Sequence, residues 1–383
     1  MKRHLVQNLF LITNVLLLAG AAGLHGATDI WTGAFGDNNW NTTTTWNGNA
    51  VPVANDLIVF GNQGAGGLTL NNNLTAGTVF AGLTFNATAP SFILNGNSIS
   101  SSASVADNSL NPQTIGLPII FSSTHSMNAV AGGTMNIKGV VSGAGGVTKT
   151  GGGTVAFNGT TPHTYTGITA VNGGTLTLDF VTGAPGNNLV NSASVLSLGG
   201  GTLSLLGTGS SASSSQTFAS TTIASSASTV SVNNSAALAL GAITYTAGSA
   251  VQFVGPATIY GAGNFAAVGT ITTTSAGATG TGQLGVIGND NAANSIGHYA
   301  TVGLFDWAST DTTAGANGTS PYTIIGGSQV TGFYTTTAPA TTGNGGNFDM
   351  QANATIANAA AQRACATVRF NTPAATTFNI GNN

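Results

Sequence analysis

Four times between residues 132 and 205 the chain writes two glycines, a threonine and then apolar and polar residues in alternation. The copies are Gly132-Gly133-Thr134-Met135-Asn136-Ile137, Gly152-Gly153-Thr154-Val155-Ala156-Phe157, Gly173-Gly174-Thr175-Leu176-Thr177-Leu178 and Gly200-Gly201-Thr202-Leu203-Ser204-Leu205. Alternation with period two predicts a short β-strand with one buried face, and the glycine pair predicts a bend that requires positive φ. Weaker copies stand at Gly66-Gly67-Leu68-Thr69-Leu70 and Gly82-Leu83-Thr84-Phe85. A unit of about 20 to 27 residues cannot bury such a face alone, so successive copies must stack. Stacking at about 4.8 Å pairs the strands in parallel and predicts a β-helix. Spread over the chain after the leader, that repeat length gives roughly 13 to 18 rungs and a rod about 60 to 90 Å long.

Asn47-Gly48, Asn95-Gly96, Asn158-Gly159, Asn172-Gly173 and Asn317-Gly318 punctuate the pattern as turn dipeptides. The Ser- and Gly-rich segment 207–216 reads as a surface loop. Alternation resumes at Ser228 to Val232, Ala237 to Tyr245 and Ala250 to Val254, then loosens from Gly277 to Gly346. The expected organisation is therefore a leader over 1–27, a cap and first rungs over 28–130, and regular repeats over 131–206. A less regular continuation with longer loops follows over 207–383.

The leader expectation rests on Lys2, Arg3 and His4 followed by a largely apolar run from Leu9 to Ala22, the layout of a secretory signal peptide. Cleavage is expected after Gly23, which has Ala21 two residues before it, or after Ala27. No other segment is apolar enough to cross a bilayer as a helix. The expected location is secreted or at the cell surface after Sec-type export.

Composition sharpens the picture. Charged residues make up 4% of the chain, with 6 Lys and Arg, 9 Asp and Glu together, and no Glu at all. The usual share is about 25%. Long solvated helices and coiled coils lack their raw material, and no basic patch can form a nucleic-acid footprint. Stacking explains the scarcity: like charges on neighbouring rungs, about 4.8 Å apart, repel by roughly 0.9 kcal/mol even in water. Thr, Ser and Asn can instead hydrogen-bond along a column.

The segment Gly145-Gly146-Val147-Thr148-Lys149-Thr150-Gly151-Gly152-Gly153-Thr154-Val155, with His163-Thr164-Tyr165-Thr166-Gly167 and Val171-Asn172-Gly173-Gly174-Thr175-Leu176, resembles an autotransporter-associated β-strand repeat. That family is also called the passenger-associated transport repeat. The likeness covers one clear repeat of about 32 residues plus looser copies. Trp31-Thr32-Gly33, Trp40, Trp46 and Asp56 to Gly61 at one end agree with it, as do Asp306-Trp307-Ala308 and Val368-Arg369-Phe370-Asn371 at the other. The resemblance implies a right-handed parallel β-helix in an amino-terminal passenger fragment displayed on, or released from, a Gram-negative-type surface. Outer-membrane association would then run only through a carboxy-terminal region absent from this chain. It supplies no catalytic residues.

The residues with chemical potential are few. Gly280-Thr281-Gly282-Gln283-Leu284-Gly285 has dinucleotide-binding spacing without a βαβ context, and chance produces such a match at 56 glycines. The Asp residues are isolated in sequence, with little Arg or Lys to complete the carboxylate sites that polysaccharide-cleaving β-helices use. His125, His163 and His298 read as turn or surface residues rather than a triad or metal cluster. Cys365 reads as a small buried thiol and Lys149 as an isolated outward charge. Trp31, Trp40 and Trp46 are the candidates for glycan contact or for capping the first rung, with capping favoured.

No catalytic, cofactor or metal residues are expected. The leading expectation is a non-enzymatic stalk, adhesin or matrix component whose partners are extracellular glycans or other surface proteins. The alternatives are a carbohydrate-active β-helix enzyme, either lyase or hydrolase, and a glycan-binding module.

Overall fold

The computed structural model describes residues 26–34, 37–62, 67–181, 183–209, 214–233, 236–255, 270–275, 300–304, 306–310 and 320–329. It also describes the short strands 334–335, 346–349, 354–356, 365–369 and 378–380. The leader, His298 and Gly280–Gly285 lie outside the described residues.

The chain is a parallel β-helix of about 8 turns. Most turns lay one strand on each of three sheets in a fixed order. Gly82–Phe85 is followed by Ile93–Gly96 and Ile99–Ser101, and the next turn begins at Val105–Asp107. The first sheet stacks 10 strands from Thr28–Trp31 to Ala242–Tyr245, with Leu57–Phe60, His125–Ala129, Val147–Thr150, Thr169–Val171 and Leu196–Leu198 among them. The second runs in parallel from Thr69–Asn72 to Ala300–Val302. The third holds four strands, Thr78–Phe80 to Val141–Ser142. Parallel pairing on this third side resumes with Ser215–Thr217, Ala237–Ala239 and Thr270–Thr273.

The glycine–threonine copies form the middle of the second sheet in the register their spacing implies. Thr134, Thr154, Thr175, Thr202 and Thr229 lie in one outward column. The next position in each strand, Met135, Val155, Leu176, Leu203 and Val230, points into the coil and is fully buried. A one-residue slip would exchange these columns, so burial of the apolar set fixes the register.

The glycines of these copies do two jobs, bending the backbone and letting neighbouring rungs approach closely. Gly132 and Gly200 take positive φ at the bend (84° and 116°), and in the second copy Gly151, one residue earlier, takes that role at 75°. Gly153 is needed for closeness, because a Cβ there would lie 2.1 Å from the Val130 carbonyl oxygen of the neighbouring rung.

Outward columns are joined by hydroxyl and amide contacts instead of charges. Ser104 and Ser126 Oγ atoms are 2.6 Å apart, Asn158 Nδ2 donates to Asn136 Oδ1 at 3.0 Å, and Thr222 and Thr244 hydroxyls are 3.2 Å apart. The segment read as a loop at 207–216 contains the start of a strand, and Gln216 is buried. Its Oε1 accepts the Val190 N–H, and its Nε2 donates to the Val190 and Thr217 carbonyls.

Among the described residues the coil makes about 8 turns, against the 13 to 18 rungs expected of the chain after the leader. Among the described residues, the strand that pairs beyond Ala250–Val254 on the second sheet is Ala300–Val302. Pairing then turns antiparallel: Thr301 faces Trp307, Ala308 faces Gly326 and Thr272 faces Thr323. Among the described residues the third side of the coil meets the second sheet through this antiparallel return.

Candidate functional site

The amino-terminal end is closed by aromatic side chains. Trp31 lies on the inward face of the first strand, where exposed and buried positions alternate. Trp46 follows the 3₁₀ turn Thr43–Thr45 and donates its indole N–H to the Trp40 carbonyl at 2.8 Å. Ring centroids of Trp31 and Trp46 are 5.1 Å apart and those of Trp40 and Trp46 5.8 Å apart, both nearly perpendicular, with Phe60 within 6.5 Å of all three. Exposures of 1%, 0% and 1% leave no ring face for a sugar to stack on. These tryptophans are core, and the glycan-contact reading of Trp31, Trp40 and Trp46 does not fit their placement. The segment carrying Trp46 also covers the first strand. Thr32 N–H donates to the Thr45 carbonyl, Asn47 Oδ1 accepts from Ile30 N–H, and Asn47 Nδ2 donates to the Thr28 carbonyl.

Two carboxyl groups lie beneath this cap. Asp56 Oδ1 accepts the Ala27 N–H and Oδ2 the Val53 N–H, both at 2.7 Å. Asp29 is 6% exposed and its Oδ2 is buried without a hydrogen-bond partner. Burial, and after it the Asp56 carboxyl, push the Asp29 carboxyl up to about 6.

Inside the coil the structure corrects two expectations. Lys149 is not an outward charge. It occupies an inward position between Met127 and Val171 and is fully buried. Its Nζ donates to the carbonyls of Thr150, Gly151 and Gly173 at 2.7, 2.9 and 3.0 Å. All three donors of the ammonium can therefore be used. Burial lowers its pKa to about 8.

His163 is not a surface residue either. It is 1% exposed, its ring centroid lies 4.1 Å from that of Phe157, and Nδ1 accepts the Val141 N–H at 3.0 Å. That bond leaves the proton on Nε2, which is buried without a partner, and desolvation pulls the ring down to about 3. Nearby, Tyr165 Oη, Thr169 Oγ1 and Ser194 Oγ form a chain of 2.7 and 2.9 Å contacts that ends on the Gly167 carbonyl. Asp107 takes another inward position, between Phe85 and Ala129. Its Oδ1 accepts the Ser109 N–H and desolvation pushes it up to about 6. His125 is half-buried and its Nε2 lies 3.0 Å from Ser123 Oγ.

The densest charged constellation among the described residues is at the other end and was not legible in sequence. Arg369, on the strand Cys365–Arg369, reaches Asp306 Oδ1 at 3.1 Å and Asp349 Oδ2 at 2.8 Å. Its guanidinium also sits 3.8 Å from the centre of the Tyr334 ring. Tyr334 Oη donates to Asp306 Oδ1 at 2.7 Å, and Asp306 Oδ2 accepts the Ser328 N–H and hydroxyl. The two carboxylates and the arginine are 4 to 14% exposed. Asp306-Trp307 and Val368-Arg369 stand out in sequence as separate features, but nothing in their spacing pairs them. The thiol of Cys365 lies outside the described residues.

Chemically, this cluster is a clamp. Each carboxylate is bonded to the same guanidinium, so the arginine ties the two strands together. Among the described residues no group of three or more His, Cys or Asp side chains is arranged to hold a metal ion. No helix among them is long and apolar enough to cross a membrane. No protein-family profile, curated protein or solved structure matches the chain.

Proposed function

We propose that this chain is an exported, non-enzymatic β-helical passenger segment that serves as a cell-surface stalk, adhesin or matrix component, of the kind carrying autotransporter-associated β-strand repeats. The observation that carries the reading is the first sheet. Ten strands stack in parallel over an interior filled with side chains, and the outer columns carry Ser, Thr and Asn. Such a body presents long, uncharged, rigid flanks and suits a spacer or display element. Its carboxylates support the same reading. Asp107 is enclosed in the coil, Asp29 and Asp56 lie under the cap, and Asp306 and Asp349 face Arg369.

Export is tested by producing the full chain in a Gram-negative host, fractionating the cells and sequencing the amino terminus. The expected product lies outside the cytoplasm and begins at Leu24. The first rung uses the Gly26 N–H on the Asn55 carbonyl, the Ala27 N–H on Asp56, and the Ala27 carbonyl as acceptor for the Leu57 N–H. A cut after Ala27 would remove all three bonds. An intact chain confined to the cytoplasm overturns the export reading. New reducing ends or unsaturated products from a polysaccharide panel, abolished by Asp306→Asn, would overturn the non-enzymatic one.

A further inference from the structure

We propose that Asn47-Gly48 is a site of spontaneous self-modification, at which the asparagine side chain closes onto the Gly48 peptide nitrogen, loses ammonia and so uncovers the outer edge of the first strand. Thr28–Trp31 is the outermost strand of its sheet and pairs along one edge with Leu57–Phe60. The Ala27 carbonyl accepts the Leu57 N–H, so the alternation of backbone groups turns the Thr28 carbonyl and the Ile30 N–H the other way, toward the outer edge. Asn47 meets both with one side chain. Its Oδ1 accepts the Ile30 N–H at 2.5 Å and its Nδ2 donates to the Thr28 carbonyl at 3.2 Å, as the peptide groups of a neighbouring strand would. The amide that covers the edge is therefore the group that the reaction consumes.

The described residues hold Asn47-Gly48, Asn95-Gly96, Asn158-Gly159 and Asn172-Gly173, while Asn317-Gly318 lies outside them. Cyclisation requires the backbone to swing until the glycine nitrogen meets the asparagine Cγ, so a glycine pinned in the ladder resists it. A Cβ on Gly96 would lie 2.3 Å from the Asn72 carbonyl oxygen, and one on Gly159 2.3 Å from that of Lys138, which shows how tightly the adjacent rung presses on both. The third pair is held at each end, with the Asn172 N–H on the Lys149 carbonyl and the Gly173 carbonyl under the Lys149 ammonium. Gly48 differs. Beyond its chain neighbours it has nothing within 4 Å of the Cβ position, its φ is 75°, and both it and Asn47 are exposed. The Ile30 N–H also sits on the oxygen that gathers negative charge as nitrogen adds to Cγ, where a donor assists the reaction.

In the ring-closing step a bond forms between the Gly48 nitrogen and Asn47 Cγ, and the bond from Cγ to Nδ2 breaks. The Gly48 N–H proton, passed through solvent, leaves with the departing nitrogen as ammonia. Water then opens the cyclic imide at either carbonyl and gives aspartate or isoaspartate at position 47. Each product has lost Nδ2, and a carboxylate cannot donate. The Thr28 carbonyl is thereby left facing a negative charge instead of a donor, and the isoaspartate product also lengthens the main chain between Trp46 and Gly48.

Incubation of the full chain at pH 7.5, folded and in urea, followed by peptide mapping for deamidated and isoaspartyl forms, tests this. In urea the four pairs should react at similar rates, since glycine follows each asparagine. In the folded chain Asn47 should lead the other three by about tenfold or more, because they wait for local opening of the ladder. Asn47→Gln, whose ring would have six members and closes far more slowly, should abolish the signal from that peptide. The modified fraction carries one more negative charge and can be separated by anion exchange. Its hydrogen-exchange protection over 26–34 should be about two- to tenfold lower than that of the unmodified chain, the loss of one hydrogen bond, while Thr154–Phe157 holds. Asn47 keeping pace with or lagging any of the other three in the folded chain, a signal that survives in Asn47→Gln, or full protection of 26–34 in the modified fraction overturns the proposal.

Discussion

Replacing Val155 by Asp tests the inward register of the second sheet at its most regular point. Val155 is fully buried and stacks between Met135 and Leu176 in adjacent rungs. Removing its side chain from that column forfeits about 1.5 to 3 kcal/mol of apolar burial. The carboxyl that takes its place must either ionise in an apolar column or carry a proton at neutral pH. A buried acid raised by about 3 to 5 units costs roughly 4 kcal/mol at pH 7, where taking up the proton caps the penalty. The sum exceeds the range of ordinary substitutions, in which about 1 kcal/mol is typical. Thr154→Asp, one residue earlier on the same strand, points outward among threonines and should cost no more than about 0.5 kcal/mol.

The charge component can be isolated. Val155→Asn has a similar shape without ionisation, so the gap between the Asp and Asn variants should be wide at pH 7. It should close as pH falls toward 4, where the unfolded acid also gains its proton. Thermal melting and protease nicking within 134–178 read both effects, because damage in a stacked repeat is felt first by adjacent rungs. Equal damage from Thr154→Asp and Val155→Asp, or wild-type melting in the latter, would refute the assignment of faces.

Lys149→Met keeps the apolar stem and leaves three backbone carbonyls without the ammonium. Leaving those buried carbonyls without a donor is expected to cost about 1 to 3 kcal/mol in urea melts at pH 7. Because the folded lysine has a pKa of about 8 against 10.5, the unfolded chain binds more protons between those values. Wild-type stability should therefore rise between pH 8 and 9.5, and the Lys149→Met variant should lack that rise. His163 gives an acid counterpart. With its folded value near 3 and its unfolded value at 6.5, stability should fall as pH drops below 6.5, by up to about 1.4 kcal/mol per unit. His163→Phe should flatten that limb of the profile, even though the Val141 N–H loses its acceptor. Arg369→Gln leaves Asp306 and Asp349 facing each other without their cation, at a cost of about 3 to 5 kcal/mol. Hydrogen exchange should accelerate in Gly346–Asp349 and Cys365–Arg369 while Val147–Thr150 is unaffected.

What could be read from sequence was whatever every turn repeats. The parity of Thr154-Val155-Ala156-Phe157 recurs unchanged in the strands above and below, because each rung solves the same burial problem with the same alternation. Parity also marked Lys149. In Val147-Thr148-Lys149-Thr150 it shares a face with Val147, and only the expectation that charge seeks water argued for the outside. His163 lies between Phe157 and Thr169, where no strand runs and no period exists to assign a face. The Arg369 clamp joins residues 20 and 63 positions apart through strands that do not belong to the regular repeat, so no spacing rule could pair them.

Lys149 shows why the interior of this coil can hold a charge at all. Its acceptors are the carbonyls of Thr150, Gly151 and Gly173, which sit where the glycine-rich bends turn the backbone from one sheet to the next. Gly151 takes its φ of 75° at that corner, and Gly173 opens the next glycine–threonine copy one rung away. The bends that deliver each threonine to its outward column thus leave backbone oxygens within reach of the interior, and stacking two corners forms a cup of three. A flat parallel sheet commits its carbonyls to neighbouring strands and would offer an inward ammonium none. The same glycines that make the repeat readable therefore also supply the site that confounds a reading based on charge alone.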